Sequence, residues 1–235
     1  MGLVSAAVSQ RYVRFAGCCY LLIIALGLFS ETQVRGSLVA AGDAATTAAQ
    51  IGASAQLWRS GIVADLCMQL LDIPIIVLFY LLFKRVNAAL NLTATGFNLI
   101  QTAMLVANKL TLMVPLLLAG SGVYLTAFSA EQRDALAYLA IQLHGYGFAI
   151  GLLFFALACV IRGYLIIKSQ LFPAILGLML GLAGVCYLVN TLALLLAPEL
   201  ADTLFPWIML PVLVGELSLS LWMIVKGANF NGQLS

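Results

Sequence analysis

The stretch Gly61-Ile-Val-Ala-Asp-Leu-Cys-Met-Gln-Leu-Leu-Asp-Ile-Pro74, apolar from there to Phe83 and closed by Lys84-Arg85, decides the fold. Its 23 residues from Gly61 to Phe83 carry only two charges, Asp65 and Asp72. At ~1.5 Å per residue the run is roughly 35 Å long as a helix, enough to cross a bilayer core with some tilt. Asp65, Gln69 and Asp72 stand at i, i+4 and i+7 and therefore project from one helical face. A carboxylate facing lipid costs several kcal/mol, so this face must look inward. The stretch predicts one span of a membrane bundle with a polar interior.

Composition extends the reading to the whole chain. Of 235 residues 63% are apolar and 9% charged, where a soluble domain carries about 25% charged residues. That little charge cannot cover a water-soluble globule, so the expected fold class is all-α, a polytopic membrane helix bundle. The five cysteines, Cys18, Cys19, Cys67, Cys159 and Cys186, all fall in apolar segments without C-x-x-C spacing, which argues against disulfides and a thiolate metal centre.

Outward from the central stretch, a first helix is predicted over 12–30 and a long polar connection over 31–60. Within that connection Asp43 caps a short helix whose Ala48, Ile51, Ala55 and Trp58 share one side. Such a helix lies on the external membrane surface, with Trp58 at headgroup level. Further spans are expected over 92–119, 134–162, 172–197 and 205–226, six in all, forming one integral membrane domain over 1–235. Pro74 and Pro211 are expected to kink their helices. Gly147 with Gly151, and Gly177 with Gly181, have the small-xxx-small spacing of close helix contacts.

Charge asymmetry sets the orientation. With six spans, one side holds Arg11, Arg14, Lys84, Arg85, Arg162, Lys168 and Lys226, seven of the eleven basic residues and no acid. The positive-inside rule then puts both termini in the cytoplasm, in a bacterial cytoplasmic (inner) membrane.

Polar residues recur deep inside the spans. Counted from the outer helix ends, Asp72 lies roughly 18 Å deep, Asn108, Lys109, His144 and Glu216 about 15 Å, and Asn190 and Asp65 about 10 Å and 8 Å. That convergence predicts a shared chamber in which Asp72, His144 and Glu216 titrate as one coupled unit. Asp65, Asp72 and Glu216 against Lys109 leave two uncompensated negative charges if all ionise, which makes the chamber a candidate site for a proton, a cation or a small solute. Bland alternatives stand beside this: a structural Asp72–Lys109 ion pair, a structural His144, an Asp65 at headgroup level.

No H-E-x-x-H, G-x-S-x-G, Walker or dinucleotide fingerprint is present, and nothing suggests nucleic acid or a cofactor. Three functional classes follow: a solute- or ion-binding protein, with transport as its extension; an accessory or structural subunit; and an intramembrane enzyme using His144 with Asp72 and Glu216. The expected partners are the lipid bilayer and a small solute, proton or cation.

The segments Leu38-Val-Ala-Ala-Gly-Asp-Ala-Ala-Thr46, Leu143-His-Gly-Tyr-Gly147, Leu171-Phe-Pro-Ala-Ile-Leu-Gly177, Gly215-Glu-Leu217 and Val225-Lys-Gly227 resemble the bacterial family catalogued as domain of unknown function 4386. The similarity runs from about Arg14 to Gly227. It implies a multi-pass bundle of bacterial origin and no particular chemistry.

Overall fold

The structure is a computed structural model that describes residues 8–230, and every regular element among them is helical. Helix α1 spans Gln10–Leu28 and runs on through a π-helical segment, Phe29–Arg35, into Gly36–Leu38. Then come α2 (Ala44–Ala53), α3 (Ala55–Phe83), α4 (Ala88–Leu118), a 3₁₀ turn at Val123–Ala127, and α5 (Ala130–Ser169). Helices α6 (Ala174–Leu196), α7 (Pro198–Leu204) and α8 (Met209–Val225) complete the chain. Five of the helical segments are long and apolar enough to cross a membrane, and α7 with α8 makes a sixth span if the bent pair counts as one. Each of the five buries only 28–44% of its most apolar window. The remaining apolar surface, Leu70, Leu110 and Leu178 among it, needs a lipid solvent. This is a polytopic, all-helical membrane protein.

Several boundaries depart from expectation. The first helix does not stop at Ser30, because the π segment carries Glu31, Thr32 and Arg35 onward to Leu38. The surface helix ends sooner: Asp43 does cap it, accepting from Thr46 N at 2.9 Å, but the chain breaks at Ser54. Trp58 therefore belongs to α3, not to a headgroup-level helix. It is 1% exposed, and its indole N–H donates to the Leu112 carbonyl at 2.8 Å. Trp58 packs in an apolar core with Val34, Leu38, Ile51, Ile62 and Leu112, its polar N–H satisfied by the Leu112 carbonyl.

The last span is bent by 56° between α7 and α8. Phe205 precedes Pro206 and is extended (φ −78°, ψ 139°), since the proline ring disfavours a helical conformation in the residue before it. Pro211, expected as a kink, lies in the first turn of α8, where its missing N–H would have no helical partner anyway. Pro74 lies inside α3, and its carbonyl accepts from the Tyr12 hydroxyl at 2.9 Å.

By internal contacts the chain forms two compact units. The first draws on Met1–Ile23, Leu71–Ala103 and Ala149–Ser235, the second on Ile24–Leu70 and Met104–Phe148. Within the first, α5 and α6 approach through glycine: a β-carbon on Gly177 would stand 2.5 Å from the Gly163 carbonyl oxygen, and one on Gly163 the same distance from that of Gly177. No larger residue fits either place, so the predicted close contact at Gly177 exists, with Gly163 as its counterpart.

Candidate functional site

In the second unit the organising group is the Asp65 carboxylate on α3. Its Oδ2 receives Arg35 Nη1 at 2.8 Å and Lys109 Nζ at 3.0 Å. Arg35 arrives from the π segment and Lys109 from α4, so one oxygen ties three parts of the chain together. Asp65 is 3% and Lys109 4% exposed, which puts the Asp65 contact well away from water. Arg35 also bonds Glu31 at 2.9 Å, one helical turn earlier, while Lys109 lies 5.7 Å from the centre of the Phe148 ring. Lys109 thus pairs with Asp65, not with Asp72 as one of the alternative readings had it.

His144 on α5 faces Asn108 on α4 in this same unit. The Asn108 amide donates to the His144 carbonyl at 2.8 Å and lies 3.1 Å from His144 Nδ1, which is also 3.4 Å from the Asn108 carbonyl oxygen. Gly147, one turn further along, leaves the space that the Asn108 side chain occupies. Nearby Gln69 Oε1 is buried without a hydrogen-bond partner.

The first unit holds a second polar network. Asp72 Oδ2 accepts from Asn98 Nδ2 and Thr102 Oγ1, each at 2.8 Å, and Asn98 also donates to Gln101 Oε1 at 2.8 Å. On its other face Asn98 accepts through Oδ1 from Arg162 Nη1. One amide thus links a carboxylate to a guanidinium that is itself 3% exposed and stacked 5.1 Å from the centre of the Phe79 ring. Glu216 on α8 is buried and accepts from the Tyr187 hydroxyl at 3.1 Å, within reach of the Asp72 charge. Three buried polar atoms in this unit make no hydrogen bond: Arg162 Nη2, Asn190 Oδ1 and Ser220 Oγ.

The residues singled out from the sequence therefore divide. Asp65, Asn108, Lys109 and His144 lie in the second unit, and Asp72, Asn190 and Glu216 in the first. The ring of His144 bonds to Asn108, and no hydrogen bond joins it to Asp72 or Glu216. Two residues that sequence reasoning missed change the charge count. Arg35 and Lys109 face Asp65 in one unit, while in the other Arg162 is linked to Asp72 through Asn98 and Glu216 is a further carboxylate of that unit. The supposed excess of two negative charges becomes at most one, confined to the first unit. Arg162 was hidden because α5 runs on to Ser169, seven residues further, placing its guanidinium about 10 Å inside the helix end. Arg35 had a legible signal, the i, i+4 pair with Glu31.

Among the described residues no three His, Cys, Asp or Glu side chains are grouped to hold a metal ion. Chemically, each network can hold charge without water, and the first also offers unused donors and acceptors. Comparison with curated proteins and with solved structures gives no match. Residues 15–227 match the family model described as "Domain of unknown function (DUF4386)", and with most of its length covered the chain belongs to that family.

Proposed function

We propose that the protein binds a small polar solute or ion at the Asp72–Asn98–Arg162 network and Glu216, with transport as the extension of that role. The observation that carries this is Arg162 Nη2, an unpartnered buried guanidinium nitrogen on the residue that Asn98 links to Asp72; Ser220 Oγ and Asn190 Oδ1 are unpartnered in the same unit, as Gln69 Oε1 and Arg133 Nε are in the second. A guanidinium N–H left without a partner in low dielectric costs more than 1 kcal/mol, so such a group is retained where water or a ligand completes it. Ser220 Oγ and Asn190 Oδ1 add an unused donor and acceptors of the kind a polar solute needs.

A second reading has its own support. The Asp65 carboxylate is paired on both sides by cations, and a paired buried network specifies helix packing without binding anything. The accessory role thus suits the second unit better than the first. The enzyme reading draws no support from the hydrogen bonds of His144. Four helical segments, the extended α1, α3, α4 and α5, contribute to both units, which favours one integral membrane domain. Orientation rests on charge: with Arg162 buried, Arg11, Arg14, Lys84, Arg85, Lys168 and Lys226 still favour cytoplasmic termini in a bacterial inner membrane.

Proteoliposomes test the binding role. Proton, Na⁺ and K⁺ fluxes are followed with internal dyes under an imposed potential, for the native chain and for Arg162→Gln and Glu216→Gln. Flux above that of protein-free vesicles, reduced at least tenfold in either variant, supports the reading. Native flux equal to that of empty vesicles for all three ions, with no ion shifting the melting temperature, sinks it.

A further inference from the structure

Away from both polar networks, the ends of α5 and α8 and the turn leading into α6 enclose a cavity of about 600 Å³. This is the size of a small-molecule pocket, whose range is about 300–1,000 Å³. Its walls are apolar where Phe172, Pro173 and Ala174 enter α6. Its polar side chains are those of Gln170, Trp222 and Lys226, with the already partnered Asn229 beside them, and no carboxylate lines it.

Those three side chains share one property. The Gln170 amide, the Trp222 indole N–H and the Lys226 ammonium make no hydrogen bond or ion pair among the described residues. Trp222 and Lys226 are four residues apart at the end of α8, so they sit on one face. Gln170 is held at φ 56°, a left-handed conformation that a non-glycine residue adopts at some cost, in the tight turn between α5 and α6. The cavity therefore offers unused N–H donors and a cation, with no carboxylate against them and an apolar floor.

We propose that this cavity binds the headgroup of an anionic phospholipid. Phosphate oxygens take the unused N–H donors, Lys226 supplies the countercharge, and the glycerol and first methylenes lie on Phe172 and Pro173. Tryptophan and lysine at a helix end are the groups that work at the membrane–water boundary, each presenting an apolar body and a polar tip. Complementarity extends beyond the cavity: Lys84, Arg85 and Lys168 belong to the same unit, each at or just past a helix end. A zwitterionic headgroup would bring an ammonium toward these cations, and the lining has no carboxylate to receive it.

Native mass spectrometry of the full chain, released from nanodiscs of equimolar phosphatidylglycerol and phosphatidylcholine, tests the assignment. The expected result is saturable retention of phosphatidylglycerol over phosphatidylcholine. Lys226→Gln should weaken it about fivefold, the factor one lysine contributes near an anionic surface. Gln170→Gly removes a donor where glycine suits the backbone, so it should weaken retention while the melting temperature holds or rises. Lys84→Gln, an equal change of charge outside the cavity, should change retention less than twofold. Equal retention of both lipids, equal losses in Lys226→Gln and Lys84→Gln, or displacement of the lipid by inorganic phosphate at millimolar concentration would each overturn the proposal. The last result would assign the donors to a free anion.

Discussion

Replacing Asp65 with Asn should be among the most damaging single changes available in the second unit. The substitution keeps the shape of the side chain and removes the charge that Arg35 Nη1 and Lys109 Nζ share at 2.8 and 3.0 Å. Arg35 retains Glu31, whose side chain is 62% exposed, and can discharge toward water. Lys109 has no such outlet; only the Phe148 ring remains, at 5.7 Å. Removing one partner of a buried ion pair costs about 3–5 kcal/mol. In a membrane the unfolded reference also finds polar partners, so a loss of about 3 kcal/mol applies here. For a chain of this size that corresponds to roughly 6–12 °C in melting temperature. The double variant Asp65→Asn/Lys109→Met removes the stranded ammonium together with its anion and should recover at least half of the loss. Denaturant titration in detergent micelles, followed by circular dichroism, measures both. A single variant within about 1 kcal/mol of the native chain, or a double variant no better than the single one, would refute the view that this junction holds the unit together.

Three further outcomes are expected. Trp58→Phe keeps most of the bulk but removes the indole N–H that donates to the Leu112 carbonyl, and should cost about 0.5–1.5 kcal/mol in the same unfolding assay. Asp43 has a carboxyl held below its ordinary range by the Thr46 backbone N–H, then by the Thr46 hydroxyl, so its capping contribution is present above the unfolded pKa and is lost as pH falls through the lower folded one. The melting difference between native and Asp43→Ala protein should accordingly be visible at neutral pH and vanish at about pH 2, well below the ~3.9 of an unperturbed aspartate. In a cysteine-free background, Ser129→Cys should react with an impermeant maleimide on intact cells and Asn87→Cys should not; labelling at 87 would reverse the proposed orientation.

Much of the fold was legible because lipid imposes a simple rule: a span must be long, apolar and helical. The apolar runs therefore located the spans, and Asp43 before an alanine-rich run announced the cap of α2. Places where polar residues continue a helix were not legible. In Glu31-Thr-Gln-Val-Arg35 the i, i+4 charge pair is the one hint of a helix, while the composition suits a polar loop at a membrane edge equally well. The same ambiguity hid Arg162, which reads as a flanking cation until α5 is known to run on to Ser169. Depth counting put Lys109 about 15 Å and Asp65 only about 8 Å inside their spans, and spacing along single helices cannot say which carboxylate meets which ammonium. The choice of Asp65 over Asp72 depends on how α3 and α4 pack.

The shared oxygen of Asp65 also bears on biogenesis. Helix α4 has the lowest mean hydropathy of the five long spans, 1.4 against 2.0–2.4, and it carries Lys109 in its last third, about 15 Å from its C-terminal end. A lysine at that depth adds about 2.5–3.5 kcal/mol to the free energy of insertion from the translocon. Helix α3 is made first and brings Asp65, while Arg35 has already emerged with the extension of α1. The ribosome thus delivers the anion before the cation that most needs it. Helix α4 should therefore enter the bilayer beside α3 rather than alone, and a chain lacking Asp65 should stall with α4 unintegrated before any question of final stability arises.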